Sequence, residues 1–292
     1  GPNGAGKTTT LRMLMGITAP DSGTVRYEGR DALDRARVGY LPEERGLFED
    51  APVLDTLAYL GSLRGMSLAE ARSAGRAMLA RLGLEERAKE KVNVLSKGNQ
   101  QKVQFIGAVL HRPALAVLDE PFSGLDPINQ ELFSGLMREL VSEGTAVLLS
   151  AHQLDLVERL ADRFLLISRG REVLSGTLDE MRRKAASVHD EVLRIDLASR
   201  DALPMEAPVV AEALAGRANG GRVESTPLAG GGVRLEVQIP RGSDLAPLLG
   251  AAGERGAIVR VETRRVPLHE IYLRAVREEG GTVAESEVTA DA

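Results

Sequence analysis

The sequence predicts an α/β fold in two parts, a parallel-sheet core over residues 1–186 and a small α+β domain over 187–278. Three observations predict it. Short apolar runs alternate with helix-period stretches through the first part, the pattern of strand–helix–strand units. One of those runs, Ala114-Leu115-Ala116-Val117-Leu118, is apolar throughout and ends in Asp119-Glu120, as a central parallel strand with carboxylates at its C-terminal edge should read. After about residue 186 the text changes to half-buried alternation, Leu193-Arg194-Ile195-Asp196-Leu197, and to glycine-rich turns.

Taken in order, a helix over Thr8–Met15 presents Leu11, Met13, Leu14 and Met15 before Gly16 stops it. Strands are expected at Val25–Glu28, Val38–Leu41, Leu115–Asp119, Ala146–Ser150 and Phe164–Ser168. Helices are expected near 52–64, 67–82, 97–111, 128–142 and 153–161. The second part reads as the strand Leu193–Leu197, a helix over 208–215, a turn at Gly230-Gly231-Gly232 and the strand Val233–Ile239. A helix over 244–254, the strand Ile258–Glu262 and a helix over 267–278 complete an expected antiparallel sheet. No His, Asp and Glu cluster at ligand spacing there, which favours an interaction or regulatory module. The polar, acidic stretch 279–292 is expected to be disordered.

Composition narrows the class. With 37 basic and 42 acidic side chains the net charge is −5, so no global positive field draws nucleic acid, and none is expected as a partner. Cysteine is absent, which excludes disulfides and thiolate metal sites. No apolar run approaches the length of a membrane span, so a role at a membrane calls for a separate spanning partner.

The chemistry starts at residue 1. Gly1-Pro2-Asn3-Gly4-Ala5-Gly6-Lys7-Thr8 fits the pattern G-x-x-x-x-G-K-[ST] at every fixed position. Glycines let the backbone turn successive N–H groups toward phosphate oxygens, Lys7 neutralises the terminal phosphates, and the Thr8 hydroxyl, with Thr9 beside it, opens the helix and can ligate Mg²⁺. A nucleotide with its Mg²⁺ is the expected ligand. Such a loop ordinarily follows a buried strand, and no residue precedes Gly1, so a chain shortened at its N-terminus is expected.

Asp119 and Glu120 suit two roles, one carboxylate holding hydrated Mg²⁺ and the other orienting a water for attack on phosphorus, although an acidic pair alone also reads as a helix cap. The surrounding string Val117-Leu118-Asp119-Glu120-Pro121-Phe122-Ser123-Gly124-Leu125-Asp126 closely resembles the second nucleotide motif and the Asp-containing loop of ATP-binding cassette (ABC) ATPases. Upstream, Leu95-Ser96-Lys97-Gly98-Asn99-Gln100-Gln101 reads physically as a helix cap with exposed amides, a ready anion site. It also resembles the ABC signature, with Lys97 and Asn99 departing from the commonest form. Ser96 stands 89 residues after Lys7 and 23 before Asp119, in the family's order. His152 matches the switch histidine, and Glu43, in Tyr40-Leu41-Pro42-Glu43-Glu44, stands where most members carry a metal-contacting glutamine.

The resemblance covers residues 1 to about 185 and implies a P-loop NTPase core of the ABC type with a helical signature subdomain. By that resemblance Glu120 and His152 are catalytic, Thr8, Asp119 and Glu43 hold the metal, and residues 1–9 bind one ATP. Ser96, Gly98, Asn99 and Asp126 serve a nucleotide held by a second ATPase subunit. It further implies an exporter, of the sodium-efflux or drug-resistance kind, at the cytoplasmic face of the cell membrane, working with an integral membrane permease. Two alternatives stay open at this point: a non-transport ABC ATPase of ribosomes or DNA, and a binding module that does not hydrolyse.

Overall fold

The computed structural model describes residues 1–31, 33–44, 46–185, 191–199, 205–218, 221–240 and 242–278. The chain forms two compact units, one of Gly1–Leu160 with Ile167–Arg171, the other of Ala161–Leu166 with the chain from Glu172 onward. The expected tail, 279–292, lies outside the described residues.

The first unit runs α1 (Lys7–Leu14), β1 (Val38–Leu41), α2 (Val53–Ser62), α3 (Leu68–Arg81), α4 (Lys97–Val109), β2 (Leu115–Asp119), α5 (Pro127–Ser142), β3 (Ala146–Ser150) and α6 (Leu154–Leu160). Its sheet is parallel with β2 central, and the register sets Tyr40 beside Val117 and Asp119 beside Ser150. The apolar run of β2 is buried because helices cover it on both sides. On one face Leu11 and Met15 of α1 cluster with Val38 and Val117. On the other a larger core gathers Leu57, Leu79, Ile106 and Leu118 around Phe105 and Phe133, whose ring centroids lie 4.6 Å apart.

Local chemistry sets the helix starts. Ser67 and Glu70 form a reciprocal capping box at α3, and Asp126 caps α5 with Pro127 at its first position. The strand expected at Val25–Glu28 does not form. Tyr27 and Arg30 exchange 2.9 Å backbone hydrogen bonds around Glu28 and Gly29, both at positive φ, which makes a two-residue turn. Among the described residues no other strand pairs with it, so its alternating pattern has nothing to bury against.

The chain then forms a two-stranded sheet of β4 (Phe164–Ser168) and β5 (Arg171–Gly176), joined through Arg169 and Gly170 at positive φ. The helix α7 (Leu178–Ala185) follows, with Thr177 and Glu180 as its capping box. The second unit continues β6 (Glu191–Ala198), α8 (Ala207–Ala215), β7 (Val223–Pro227), β8 (Val233–Ile239), α9 (Ala246–Arg255), β9 (Ala257–Arg265) and α10 (Leu268–Glu278). The sheet is antiparallel in the order β7-β8-β6-β9, the split βαββαβ arrangement.

One face of that sheet packs Leu193, Ile195, Leu235 and Val237 against Val210 and Leu214 of α8 and Leu248 and Ala252 of α9. The opposite face is a lattice of charges. Arg234 grips Asp196 through two bonds of 2.7 and 2.8 Å, Arg194 reaches Glu236 at 2.8 Å, and Arg264 reaches Glu236 at 3.1 Å. The second unit begins earlier than the change of character near 186. It takes in α7, which packs on α10 and whose Arg182 donates to the Val266 carbonyl at 3.0 Å.

Candidate active site

The glycine loop wraps the N-terminus of α1. Gly4 and Gly6 sit at φ 73° and 103°, a region a side chain disfavours, and Ala5 packs inward while Asn3 and Thr9 face solvent. The loop is closed from a distant stretch of the same unit. The Gly170 N–H donates to the Ala5 carbonyl at 2.8 Å, and a Cβ on Gly1 would stand 2.2 Å from the Ile167 carbonyl oxygen. Lys7 folds back across the loop, its Nζ donating to the Gly1 and Pro2 carbonyls at 2.8 and 3.2 Å.

At the C-terminal edge of the sheet Asp119 is fully buried. The Ser150 hydroxyl donates to its Oδ1, which leaves Oδ2 buried without a hydrogen-bond partner. Such an oxygen is costly unless a cation or donor meets it. Glu120 follows in a left-handed backbone conformation, φ 49°, rare for a residue with a side chain. Its N–H donates to the Ser150 carbonyl and hydroxyl at 3.2 and 3.0 Å. Gln101 of α4 donates to the Glu120 and Pro121 carbonyls at 3.4 and 3.1 Å. The turned backbone aims the carboxylate between two bases: Oε1 lies 3.4 Å from Lys7 Nζ and Oε2 lies 2.9 Å from His152 Nδ1.

Thus Lys7, Glu120 and His152 converge, with Asp119 preceding Glu120 on the strand. On the other side of Lys7, the Thr8 hydroxyl donates to Glu43 Oε2 at 3.1 Å. Glu43 therefore stands beside the hydroxyl expected to hold the metal. An orphaned buried carboxylate oxygen, a second carboxylate and a hydroxyl are oxygen donors of the type Mg²⁺ takes, so the residues present fit that ion.

Ser96, Gly98, Asn99 and Asp126 gather separately. Ser96 caps α4 by accepting from the Asn99 N–H at 3.4 Å, and a Cβ on Gly98 would come 3.0 Å from the Gly124 carbonyl oxygen, so the Ser96 loop lies against the loop that ends in Asp126. Asp126 accepts from the Asn129 N–H and side-chain amide at 2.9 and 2.7 Å, and these bonds hold its carboxyl below the usual carboxylate range. Among the described residues no hydrogen bond or ion pair joins these four to Lys7, Thr8, Asp119, Glu120 or His152.

Three contributors were not singled out in the sequence. Ser150 has a local signal, a hydroxyl closing an apolar strand that runs beside Asp119. Gln101 has a fainter one, an amide in an otherwise buried stripe through Val103, Phe105 and Ile106. The Ile167–Gly170 turn has none, because its role is a backbone approach.

The comparisons with known proteins agree on family. The model of the ABC transporter family matches residues 1–123. The uncharacterized ABC transporter ATP-binding protein MJ1023 of Methanocaldococcus jannaschii is 45% identical over 188 residues, 64% of this chain and 69% of that protein. The Nod factor export ATP-binding protein I of Paraburkholderia xenovorans is 40% identical over 181 residues, 60% of each. A solved structure of the ATP binding subunit of an ABC transporter superposes with a TM-score of 0.58 at 35% identity, covering 62% of this chain and 78% of that one. The matched region thus spans between three fifths and seven tenths of the curated relatives' length.

Proposed function

The chain belongs to the family of ABC transporter ATP-binding proteins, and from that premise we propose that it hydrolyses ATP as the motor subunit of an exporter. The observation that carries the reading is the convergence of Lys7 and His152 on the two oxygens of Glu120. Glu120 is the base that takes a proton from the attacking water, and His152, on its Oε2, orients that carboxylate and meets the γ-phosphate. Lys7 leaves its carbonyl partners for the β- and γ-phosphates, and the loop amides bind the remaining phosphate oxygens. Thr8, Asp119 and Glu43 hold Mg²⁺, which when bound neutralises charge building on the phosphates.

Two subunits pair head to tail, so that Ser96, Gly98, Asn99 and Asp126 of one serve the nucleotide of the other. Separation of the two residue groups within one chain supports this division of labour. Closure then drives a permease, whose cytoplasmic helix docks in a cleft of about 350 Å³ lined by Tyr40, Pro42, Leu47, Leu60, Leu63 and Gln104. Phe48 and Tyr59, half exposed and packed edge to face at 5.3 Å, extend that apolar surface. Among the described residues no helix is long and apolar enough to cross a membrane; we read the subunit as peripheral, on the cytoplasmic face. Relatives named for Nod factor export support the outward direction. A sodium-efflux or drug-resistance type exporter is our narrower reading.

The test is Glu120→Gln, which keeps shape and hydrogen bonding but removes the base. Turnover of Mg-ATP should fall about 10²–10⁴-fold while calorimetric affinity for ATP holds. Undiminished turnover would reassign the base.

A further inference from the structure

The sheet of the second unit has two edges of opposite character. β7 is five residues, Val-Glu-Ser-Thr-Pro, and its charge and terminal proline discourage an added strand. β9 is nine residues, Ala-Ile-Val-Arg-Val-Glu-Thr-Arg-Arg, with no proline. It pairs with β6 on one side, and among the described residues no strand pairs with the other. Ile258, Val259 and Val261 stand 40%, 69% and 42% exposed along it. An extended, β-branched, apolar edge is a template for a further strand.

The side chains select which strand. A second copy of β9 running antiparallel across a two-fold axis keeps the two faces of the sheet continuous only where opposed residues share parity. Centring on Arg260 opposes it to its own twin, and centring on Glu262 does the same for that carboxylate while setting Arg260 against Arg264. Both carry like charges face to face. Centring on Thr263 sets Glu262 against Arg264 but leaves the apolar Val261 facing the charged Arg265, twice by symmetry. Centring on Val261 sets Arg260 of each copy against Glu262 of the other, twice by symmetry, with Val261 against Val261 and Val259 near Thr263. Arg260, more than half exposed, already pairs with Glu262 of its own copy at 2.9 Å, so this register exchanges that bridge for its twin across the axis. The bulge that skips Val259 in the pairing with β6 confines the regular part of this ladder to the Arg260-Val261-Glu262 triplet and its flanks.

We propose that the accessory units of two copies of this chain join edge to edge through β9 in that register, extending one antiparallel sheet across both. The contact uses no nucleotide, so it is separate from the ATP-dependent pairing above and stands or falls apart from it. Its size places it among weak, reversible associations.

The experiment is sedimentation of the full chain with chelator and no nucleotide. A monomer–dimer equilibrium with a dissociation constant of about 10⁻⁵–10⁻⁴ M is expected. Arg260→Glu opposes carboxylates at both symmetric positions, and Glu262→Arg opposes guanidiniums, so each alone should weaken the dimer about tenfold. Mixed in equal amounts they oppose Glu to Arg at both positions and should recover the original constant, which a purely structural role for either residue would not do. A monomeric wild type at 10⁻⁴ M, variants that dimerise as before, or a mixture without recovery would each overturn the proposal, the first leaving the edge to a strand from another protein. Should either charge variant fail to fold by circular dichroism, Val259→Lys, at an exposed position, should give the same loss, and an undiminished dimer there would equally overturn it.

Discussion

Glu120 shows how much of a site can rest on one backbone angle. At φ 49° its carboxylate reaches both Lys7 and His152, and the unfavourable conformation is held by bonds that its own N–H donates to Ser150 and that Gln101 donates to its carbonyl. Replacing Gln101 with leucine keeps the volume in a buried stripe but removes the donor shared by the Glu120 and Pro121 carbonyls. The expected result is a fall in kcat of about tenfold with KM for ATP unchanged, because the base is displaced while the phosphate loop is untouched. Steady-state kinetics separate the two, and a matching rise in KM would mean that Gln101 only supports the fold. The residues proposed to act on the ligand directly were legible in the sequence because each sits in a short string with its own chemistry: Lys7 after glycines, Glu120 after a buried strand, Ser96 before a helix. Gln101 and Ser150 were not, because their partners lie 19 and 30 residues away and only the fold brings them together.

At the scale of the element, α4 organises the first unit. Its amides are spent on the carbonyls of three other segments: Gln100 on Val92 and Leu95, Gln101 on Glu120 and Pro121, and Gln104 on Pro42 and Glu44. Loop carbonyls buried beside a helix need such donors. One rigid helix therefore links the Ser96 loop, Glu120 and the segment that carries Glu43. Ser96→Arg places a bulky cation at the start of this helix. In the Glu120→Gln background it should abolish the ATP-dependent dimer seen by size-exclusion chromatography while leaving ATP affinity of the monomer within about threefold. A dimer that persists would reduce Ser96 to a helix cap. Helices were read from periodicity nearly to their ends, whereas Val25–Glu28 misled because alternation describes one strand and a sheet requires two. β7, with its proline and polar side chains, escaped for the converse reason, and α7 because five charged side chains surround the two larger apolar ones, Leu178 and Met181, that mark its buried side.

At the scale of the whole molecule the second unit depends on pH and the first on the order in which the chain is made. In the second, the bidentate bond from Arg234 holds the Asp196 carboxyl below its ordinary range. For Glu236 burial pushes upward but is outweighed by the bonds from Arg194 and Arg264, so it too is held low. A carboxyl whose folded value is depressed stabilises the fold above its unfolded value and loses that contribution as pH falls through the folded one. The second unit should therefore melt at progressively lower temperature on acidification from about pH 5 to pH 3, and Asp196→Asn should flatten that slope in circular dichroism melts. An unchanged slope would show that the lattice contributes nothing beyond solvated charge. The first unit depends on order in time. Its phosphate loop is finished by the Ile167–Gly170 turn, roughly 160 residues further along the chain, and non-local contacts of that span form late. During synthesis the glycines and Lys7 leave the ribosome long before the backbone that closes them exists, so the loop reaches its closed form only near the completion of this unit. A nascent chain stalled before Ile167 holds every side chain of the loop and lacks the clasp that shapes it.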